Sequence, residues 1–221
     1  MLAVWCVCVG TKYTRKDVAM LHHQVSQHLS QPFIMRCISD RNLRVKGVET
    51  VLAPHSWPGW WQKLMVFHFA RHGLNLYLDL DVVVVGGLAD LLDYRLSLPS
   101  NWAQSGFGGC QSSVMAWGRD YSYITENFNP QLLTKPANGN YGYYGPQKLW
   151  GDQEYITEMC GPPGGDVIEQ MQGIYSYKYH CRDNGTHPAD ARVICFHGNP
   201  KPEEVDEAWV KKARSYTTTR A

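Results

Sequence analysis

The sequence has no run of about 20 apolar residues, the length that a membrane-spanning helix requires, so no membrane span is expected. Leu2 to Val9 is apolar but short. It lacks a basic leader and a cleavage site, and it reads as a strand rather than a secretory signal. Net charge is nearly absent: the formal balance is +1, which excludes a global field that recruits nucleic acid. Only the tail is locally basic, with Lys211, Lys212, Arg214 and Arg220, and it reads as a solvated helix end. Paired zinc-knuckle spacing is missing from the seven cysteines. Cys6 and Cys8 alternate within an apolar run and are expected on one face of a strand. An odd cysteine count without a secretory leader predicts reduced thiols in a cytoplasm, where the sequon Asn184-Gly185-Thr186 has no consequence. Internal repeats and dividing linkers are also lacking, so 221 residues at 44% apolar predict one domain with a sizeable core.

What is present is organised around Leu74 to Leu88, Leu-Asn-Leu-Tyr-Leu-Asp-Leu-Asp-Val-Val-Val-Val-Gly-Gly-Leu. The continuous apolar run predicts a strand buried on both faces. Asp79 and Asp81 sit at its end, and buried carboxylates need a partner. Val82 to Val85 either continues the strand or starts a short one after a bend.

Around this centre the pattern is that of a parallel α/β sheet. Leu2–Val9 is a strand, Thr14 caps a helix that runs to about Leu29, and Phe33–Ile38 and Val48–Leu52 are strands. Pro54–Trp61 is an aromatic loop, and Gln62–His72 is a helix stopped by Gly73. Ala103–Phe107 and Ser113–Trp117 read as strands and Arg119–Phe128 as a helix. Asn129–Tyr144 reads as a long functional loop. Asp152–Met159 is a helix that Asp152 could cap. Short strands at Val167–Ile168, Ile174–Tyr177 and Arg192–Phe196 precede a closing helix at Glu203–Ala213.

Four constellations carry chemistry. Asp79 and Asp81 at a strand's carboxyl end suit a hard divalent cation such as Mn²⁺ or Mg²⁺ that keeps positions open for phosphates. Cys195-Phe196-His197-Gly198-Asn199-Pro200-Lys201-Pro202 also follows a strand. There His197 could be a nitrogen ligand, Lys201 could neutralise phosphate, and Gly198 lets backbone approach a ligand. Gly151-Asp152-Gln153-Glu154 opens a helix, and Lys63 precedes one. Each also has an ordinary reading: a solvated turn, a structural histidine, a capping aspartate, a surface lysine.

In order, Tyr13, Gln62-Lys63-Leu64, Leu-Tyr-Leu-Asp-Leu-Asp, Gln111-Ser112-Ser113-Val114, Gly-Asp-Gln and Phe-His-Gly-Asn-Pro-Lys-Pro make a set. The set resembles a GT-A-fold glycosyltransferase of the glycogenin-like group (glycosyltransferase family 8), small and stand-alone, of bacterial or phage type. The resemblance spans about residues 4 to 205. It implies a GT-A, Rossmann-like α/β fold with a mixed, mostly parallel sheet flanked by helices. A nucleotide-binding half would cover about 1–85, a sugar- and acceptor-binding half about 86–202, and a C-terminal helix 203–221.

The resemblance further implies transfer, with retention, from a nucleotide-diphosphate sugar, expected to be UDP-linked, to an acceptor hydroxyl. Asp79 and Asp81 match the metal-binding DxD. The family's last metal ligand is a histidine at the position of Cys195, so His197, two residues on, is expected to take that role. Asp152 and Gln153 match the pair that faces donor sugar and acceptor, and Lys201 the phosphate-binding lysine. Thr11, Tyr13 and Asp40 stand where base and ribose are contacted. Lys63, Leu80, Gly198 and Gln111 complete the donor site, Gln111 where the family has asparagine. The acceptor is either a saccharide or a hydroxymethylated DNA base, bound with help from Trp57, Trp60, Trp61 and the Tyr141–Tyr144 stretch. The protein would be a monomer or homodimer in the cytoplasm of a bacterial or phage-infected cell. Two other readings of Asp-x-Asp remain: a haloacid-dehalogenase-like phosphatase, and a non-catalytic nucleotide-sugar-binding protein.

Overall fold

The computed structural model describes residues 1–102, 109–137, 139–165 and 167–215. Its strands are β1 (Leu2–Cys8), β2 (Phe33–Ser39), β3 (Val48–Leu52), β4 (Leu74–Leu78), β5 (Val82–Val84), β6 (Leu96–Leu98) and β7 (Val114–Trp117). They continue with β8 (Leu133–Thr134), β9 (Gly142–Tyr144), β10 (Lys148–Leu149), β11 (Ile168–Gln170), β12 (Ile174–Ser176) and β13 (Val193–Cys195). The α-helices are α1 (Arg15–His28), α2 (Met65–Phe69), α3 (Tyr123–Glu126), α4 (Asp152–Cys160) and α5 (Ala208–Ala213).

The main sheet has the order β11-β6-β7-β4-β1-β2-β3, with β4 at its centre. β3, β2, β1 and β4 pair in parallel, as do β6 and β11, and β7 alone runs against its neighbours. This is the mixed, mostly parallel sheet that the sequence predicts. Both its faces are covered, and the period-2 alternation of strands divides the core. In β1, Leu2, Val4, Cys6 and Cys8 face one side with Val18, Leu21 and Val25 of α1. Ala3 and Trp5 face the other, with Trp61, Leu64, Phe67, Tyr155 and Ile156. Cys6 and Cys8 therefore share a face, and all seven cysteines are unpaired.

Thr14 caps α1 as expected, accepting from Lys16 N while Asp17 closes the capping box. The segment before the centre differs from the single helix expected over Gln62–His72. A 3-10 turn covers Gly59–Leu64, and α2 ends at Phe69. Gly73 then has φ +77°, a left-handed turn into β4 that a side chain would resist.

After β4 the chain leaves the main sheet. β5 joins a second sheet, order β12-β13-β5, with Val82 opposite Cys195 and Val84 opposite Val193. So Val82–Val84 does not continue the central strand. It starts a new one, because the bend at Asp79–Asp81 lets Val83 reach a third core region with Ile194 and Phe196 while Val82 and Val84 pack in the α1 side of the core.

Other expectations change in detail. Asn129–Tyr144 is not a structureless loop: with Lys148–Leu149 it builds the antiparallel sheet β10-β9-β8. Arg119–Phe128 supplies only the short α3, and Glu203–Ala213 divides into a 3-10 turn at Pro202–Glu204 and α5. Leu96–Leu98 is a strand too short to announce itself by periodicity. The strand expected at Ala103–Phe107 lies outside the described residues. Among the described residues no helix is long and apolar enough to cross a membrane.

One buried polar contact fastens α1 to the second sheet: Gln24 Oε1 accepts from Val84 N at 2.9 Å. Replacing Gln24 by leucine leaves that buried amide unpaired. We expect a loss of about 1–3 kcal/mol in urea denaturation. An unchanged midpoint would show that the bond is dispensable.

Candidate active site

The carboxyl ends of β1, β2 and β4 meet at one edge of the main sheet, the place where open α/β sheets bind ligands. Ser39 Oγ donates to Cys8 O at 2.7 Å and ties two of these ends together. Beyond them, Gly10 N donates to Asp40 Oδ2 at 2.9 Å. Arg41 adds bonds to Gly10 O and to Tyr13 O, so the Gly10–Tyr13 turn is held from below. Thr11 and Asp40 are exposed on this edge.

Asp79 begins where β4 ends. Its Oδ1 accepts from Tyr77 OH at 2.7 Å and its Oδ2 from Lys63 Nζ at 3.1 Å. The same ammonium lies 3.1 Å from Asp152 Oδ2 and 3.0 Å from Ser112 Oγ, and Ser112 in turn donates to Asp152 at 2.5 Å. Lys63 and Asp152 are each only 6% exposed, so this is a buried ionic cluster and not a surface pair. Burial alone would lower the Lys63 pKa, but the carboxylates of Asp152 and Asp79 outweigh it and hold the ammonium charged. Burial raises the pKa of Asp79 against the pull of Lys63, with the Asp81 charge adding to the rise.

Asp81 has a separate set of partners. Tyr13 OH donates to its Oδ2 at 2.7 Å and Lys201 Nζ at 2.5 Å, while Lys12 Nζ stands 4.0 Å away. Burial, then the Asp81 charge, raises the Tyr13 pKa and keeps its hydroxyl a donor. Phe196 N donates to Asp81 O at 3.2 Å, extending the β5–β13 ladder by one bond. That ladder brings the Phe196–Lys201 loop to the carboxylate pair across a separation of 120 residues. Lys201 also donates to Phe196 O at 3.2 Å. Gly198, at φ +71°, keeps the loop close: a Cβ there would stand 2.9 Å from Lys178 Nζ.

At the position expected to supply a third metal ligand, sequence and structure part. Cys195 is buried opposite Val82, and its thiol is held protonated by burial and by the Asp79 and Asp81 charges. His197 Nε2 lies 2.6 Å from Ser176 Oγ, and its ring stacks between Trp102 and Tyr179 at centroid distances of 5.9 and 5.7 Å. Burial, then Lys178, lowers its pKa. Among the described residues no three His, Cys, Asp or Glu side chains stand close enough to share one ion.

The other expected residues divide. Asp152 is the first residue of α4, but Gly151 is the cap, and the Asp152 carboxylate serves Lys63 and Ser112 instead. Gln153 follows it, half-buried. Gln111 Oε1 accepts from Ser113 N at 2.6 Å, a bond that shapes the turn into β7. Leu80 sends its side chain into the core, so only its backbone is left to meet a ligand. Ser112, Tyr77 and Lys12 belong to the charged network and were not expected there. For Tyr77 a signal existed: it lies two residues before Asp79 on one strand face. Ser112 stood beside Gln111 with no signal of its own.

The sequence matches no protein-family model and no curated protein. Solved structures are similar over nearly the whole chain. An active-site mutant of LgtC has TM-score 0.65 at 13% identity, covering 99% of this chain and 97% of that one. The galactosyltransferase LgtC, solved with donor and acceptor sugar analogues, has TM-score 0.63 at 13% identity and the same coverage. The glycosyltransferase GlyE of Streptococcus pneumoniae TIGR4 has TM-score 0.63 at 14% identity, covering 98% of this chain but 62% of its own. The chain has the GT-A fold of these glycosyltransferases.

The cluster around Lys63 makes a measurable claim. Lys63→Met strands Asp79 and Asp152 without their cation and is expected to cost about 3–5 kcal/mol in urea denaturation. Lys63→Arg keeps the charge and should lose less. Equal midpoints for Lys63→Met and the parent would dismiss the cluster as a structural support.

Proposed function

We propose that the chain is a glycosyltransferase that moves a sugar from a nucleotide-diphosphate sugar, in our reading a UDP-sugar, to a saccharide hydroxyl. The observation that carries this is the convergence of Asp79, Asp81, Lys201, Lys63 and Asp152 at the carboxyl edge of a GT-A sheet. The glycogenin-like resemblance supports the same reading.

Two carboxylates one residue apart are hard oxygen donors, and they fit Mn²⁺ or Mg²⁺ bound jointly with a substrate's phosphates. Asp79 and Asp81 would hold the ion. The protonated Cys195 thiol offers it little. His197 would join only by leaving Ser176. When bound, the cation neutralises charge that grows on the departing diphosphate.

The chain's own residues do the rest. Lys201 and Lys12 bring positive charge to the same place, preorganised by Asp81, and Gly198 lets the loop backbone approach. Thr11, Tyr13 and Asp40 line the turn where base and ribose would lie, with Leu80 backbone and Gln111 beside the sugar. Lys63 holds Asp152 in place, and Asp152 with Gln153 faces the sugar and the acceptor hydroxyl. Attack on the face from which the diphosphate leaves would retain configuration, with a leaving phosphate oxygen taking the proton. The seven unpaired thiols fit a reducing cytoplasm. A phosphatase that uses Asp79 as nucleophile fits less well, because the strand bearing that signature normally opens the domain, whereas here β1, β2 and β3 precede β4.

The test is nucleotide release from a panel of UDP- and GDP-sugars with Mn²⁺ or Mg²⁺. We expect release from one UDP-sugar, and a fall of about 10²–10³-fold in Asp81→Asn, the scale of a lost electrostatic stabiliser. His197→Ala should weaken the response to metal less than Asp81→Asn does. Full transfer by Asp152→Asn alongside an inactive Asp81→Asn would refute the role given to Asp152. No release from any donor would overturn the reading as a whole.

A further inference from the structure

Nine large hydrophobic residues are exposed among the described residues, and four of them, Trp60, Tyr141, Tyr144 and Trp150, belong to one region. The small sheet β10-β9-β8 produces it by alternation. Tyr143 points inward to Trp61, Phe128 and Tyr155, and Leu149 is also buried. Their neighbours Tyr144 and Lys148, paired in register across the sheet, point outward, and Trp150 follows. Lys148 Nζ sits 3.6 Å from the Trp150 ring centre and 5.2 Å from that of Tyr144, so the three side chains form one surface. Trp60 joins it from the 3-10 turn: its Nε1 is 3.5 Å from where a Cβ on Gly151 would be. Trp57 and Trp61, the other tryptophans of that loop, are instead packed against Phe128.

This surface borders the charged cluster. Gly151 caps α4, Asp152 is the next residue, and Trp60 lies three residues before Lys63. Aromatic rings exposed together beside the charged cluster, Trp150 by 57% even with Lys148 over one face, mark a binding surface and not a packing remainder. Its formal charges balance: Lys148 lies over the rings, and Glu154 accepts from Trp150 N. A nucleic acid needs several cations for its phosphates, whereas an uncharged sugar ring needs a flat apolar face and a few polar groups.

We propose that Trp60, Tyr144, Lys148 and Trp150 form a stacking platform for a neutral oligosaccharide acceptor longer than one ring. The terminal sugar lies toward Asp152 and the preceding rings lie along the aromatic face. The proposal rests on the glycosyltransferase reading for its role, but the binding surface can be tested alone.

The experiment applies the labelled full-length protein, without donor, to a glycan array of neutral mono- to hexasaccharides, with single-stranded oligo(dT) as comparison. Retention should rise with chain length on at least one series. It should fall about tenfold or more in Trp150→Ala and Tyr144→Ala, as for the loss of a central aromatic anchor, and largely return in Trp150→Phe. Circular dichroism should match the parent in all three variants, and the parent should hydrolyse its donor slowly in water. No glycan retained, retention equal for one ring and many, retention unchanged in Trp150→Ala, or capture of oligo(dT) alone would overturn the platform. Failure of donor hydrolysis in the parent would instead refute the transferase reading and leave the array result standing.

Discussion

One buried ammonium carries the organisation of this site. Lys63 comes from the turn before α2, Asp79 from the end of the central strand, and Asp152 from the first turn of α4. No two of these elements are neighbours in sequence, yet all three meet at a single nitrogen. Asp152 is buried and Asp79 partly so; the two repel one another, and the shared cation, with the Tyr77 and Ser112 hydroxyls, offsets that cost. It follows that the helix bearing Asp152 is docked by charge as well as by Tyr155 and Ile156 in the core. The carboxyl edge of the main sheet and the start of α4 are thereby fixed to each other.

A second constraint is the departure of the chain from the main sheet between Asp79 and Asp81. Asp79 remains with the central sheet, its amide donating to Ser113 O at 2.9 Å, whereas the Asp81 carbonyl pairs with Phe196. The two aspartates thus belong to different sheets and have different cationic partners. The Asp-x-Asp spacing is a seam where two backbones meet. Residue 195 lies beside the same seam. Cys195 holds that place with its thiol buried, and the nearby His197 imidazole is engaged by Ser176 and two aromatic rings. The cations paired with the two aspartates are three lysines, Lys12, Lys63 and Lys201.

Much of this was legible in the residues. β1, α1 with its Thr14 cap and β4 lie where apolar periodicity and capping chemistry place them, because each buries a whole face, and the half-exposed edge strand β3 also keeps its expected bounds. Asp79 and Asp81 were legible as carboxylates in need of partners. Their partners were not. A lysine inside a cluster looks in sequence like a lysine on a surface, and only the fold distinguishes Lys63 from Lys148. The Asn- and Gly-rich stretch before Tyr144 hid two strands, since their stability comes from pairing across the small sheet and from the Tyr143 contacts. His197 was read from its neighbours in sequence, but its nearest partner, Ser176, arrives by parallel pairing of β12 with β13.

The small sheet β10-β9-β8 assigns adjacent residues to opposite worlds: Tyr143 and Leu149 to the interior, Tyr144 and Lys148 to solvent. Its parity has an evolutionary consequence. Gaining or losing a single residue within β9 would exchange inside for outside along the strand and set a surface tyrosine against Trp61. Gain or loss of residues in pairs, and point replacement, would leave the interior as it is. Diversification of this face is therefore channelled into substitutions and even-numbered length changes, so the chemistry it presents can drift while the scaffold beneath it stays locked.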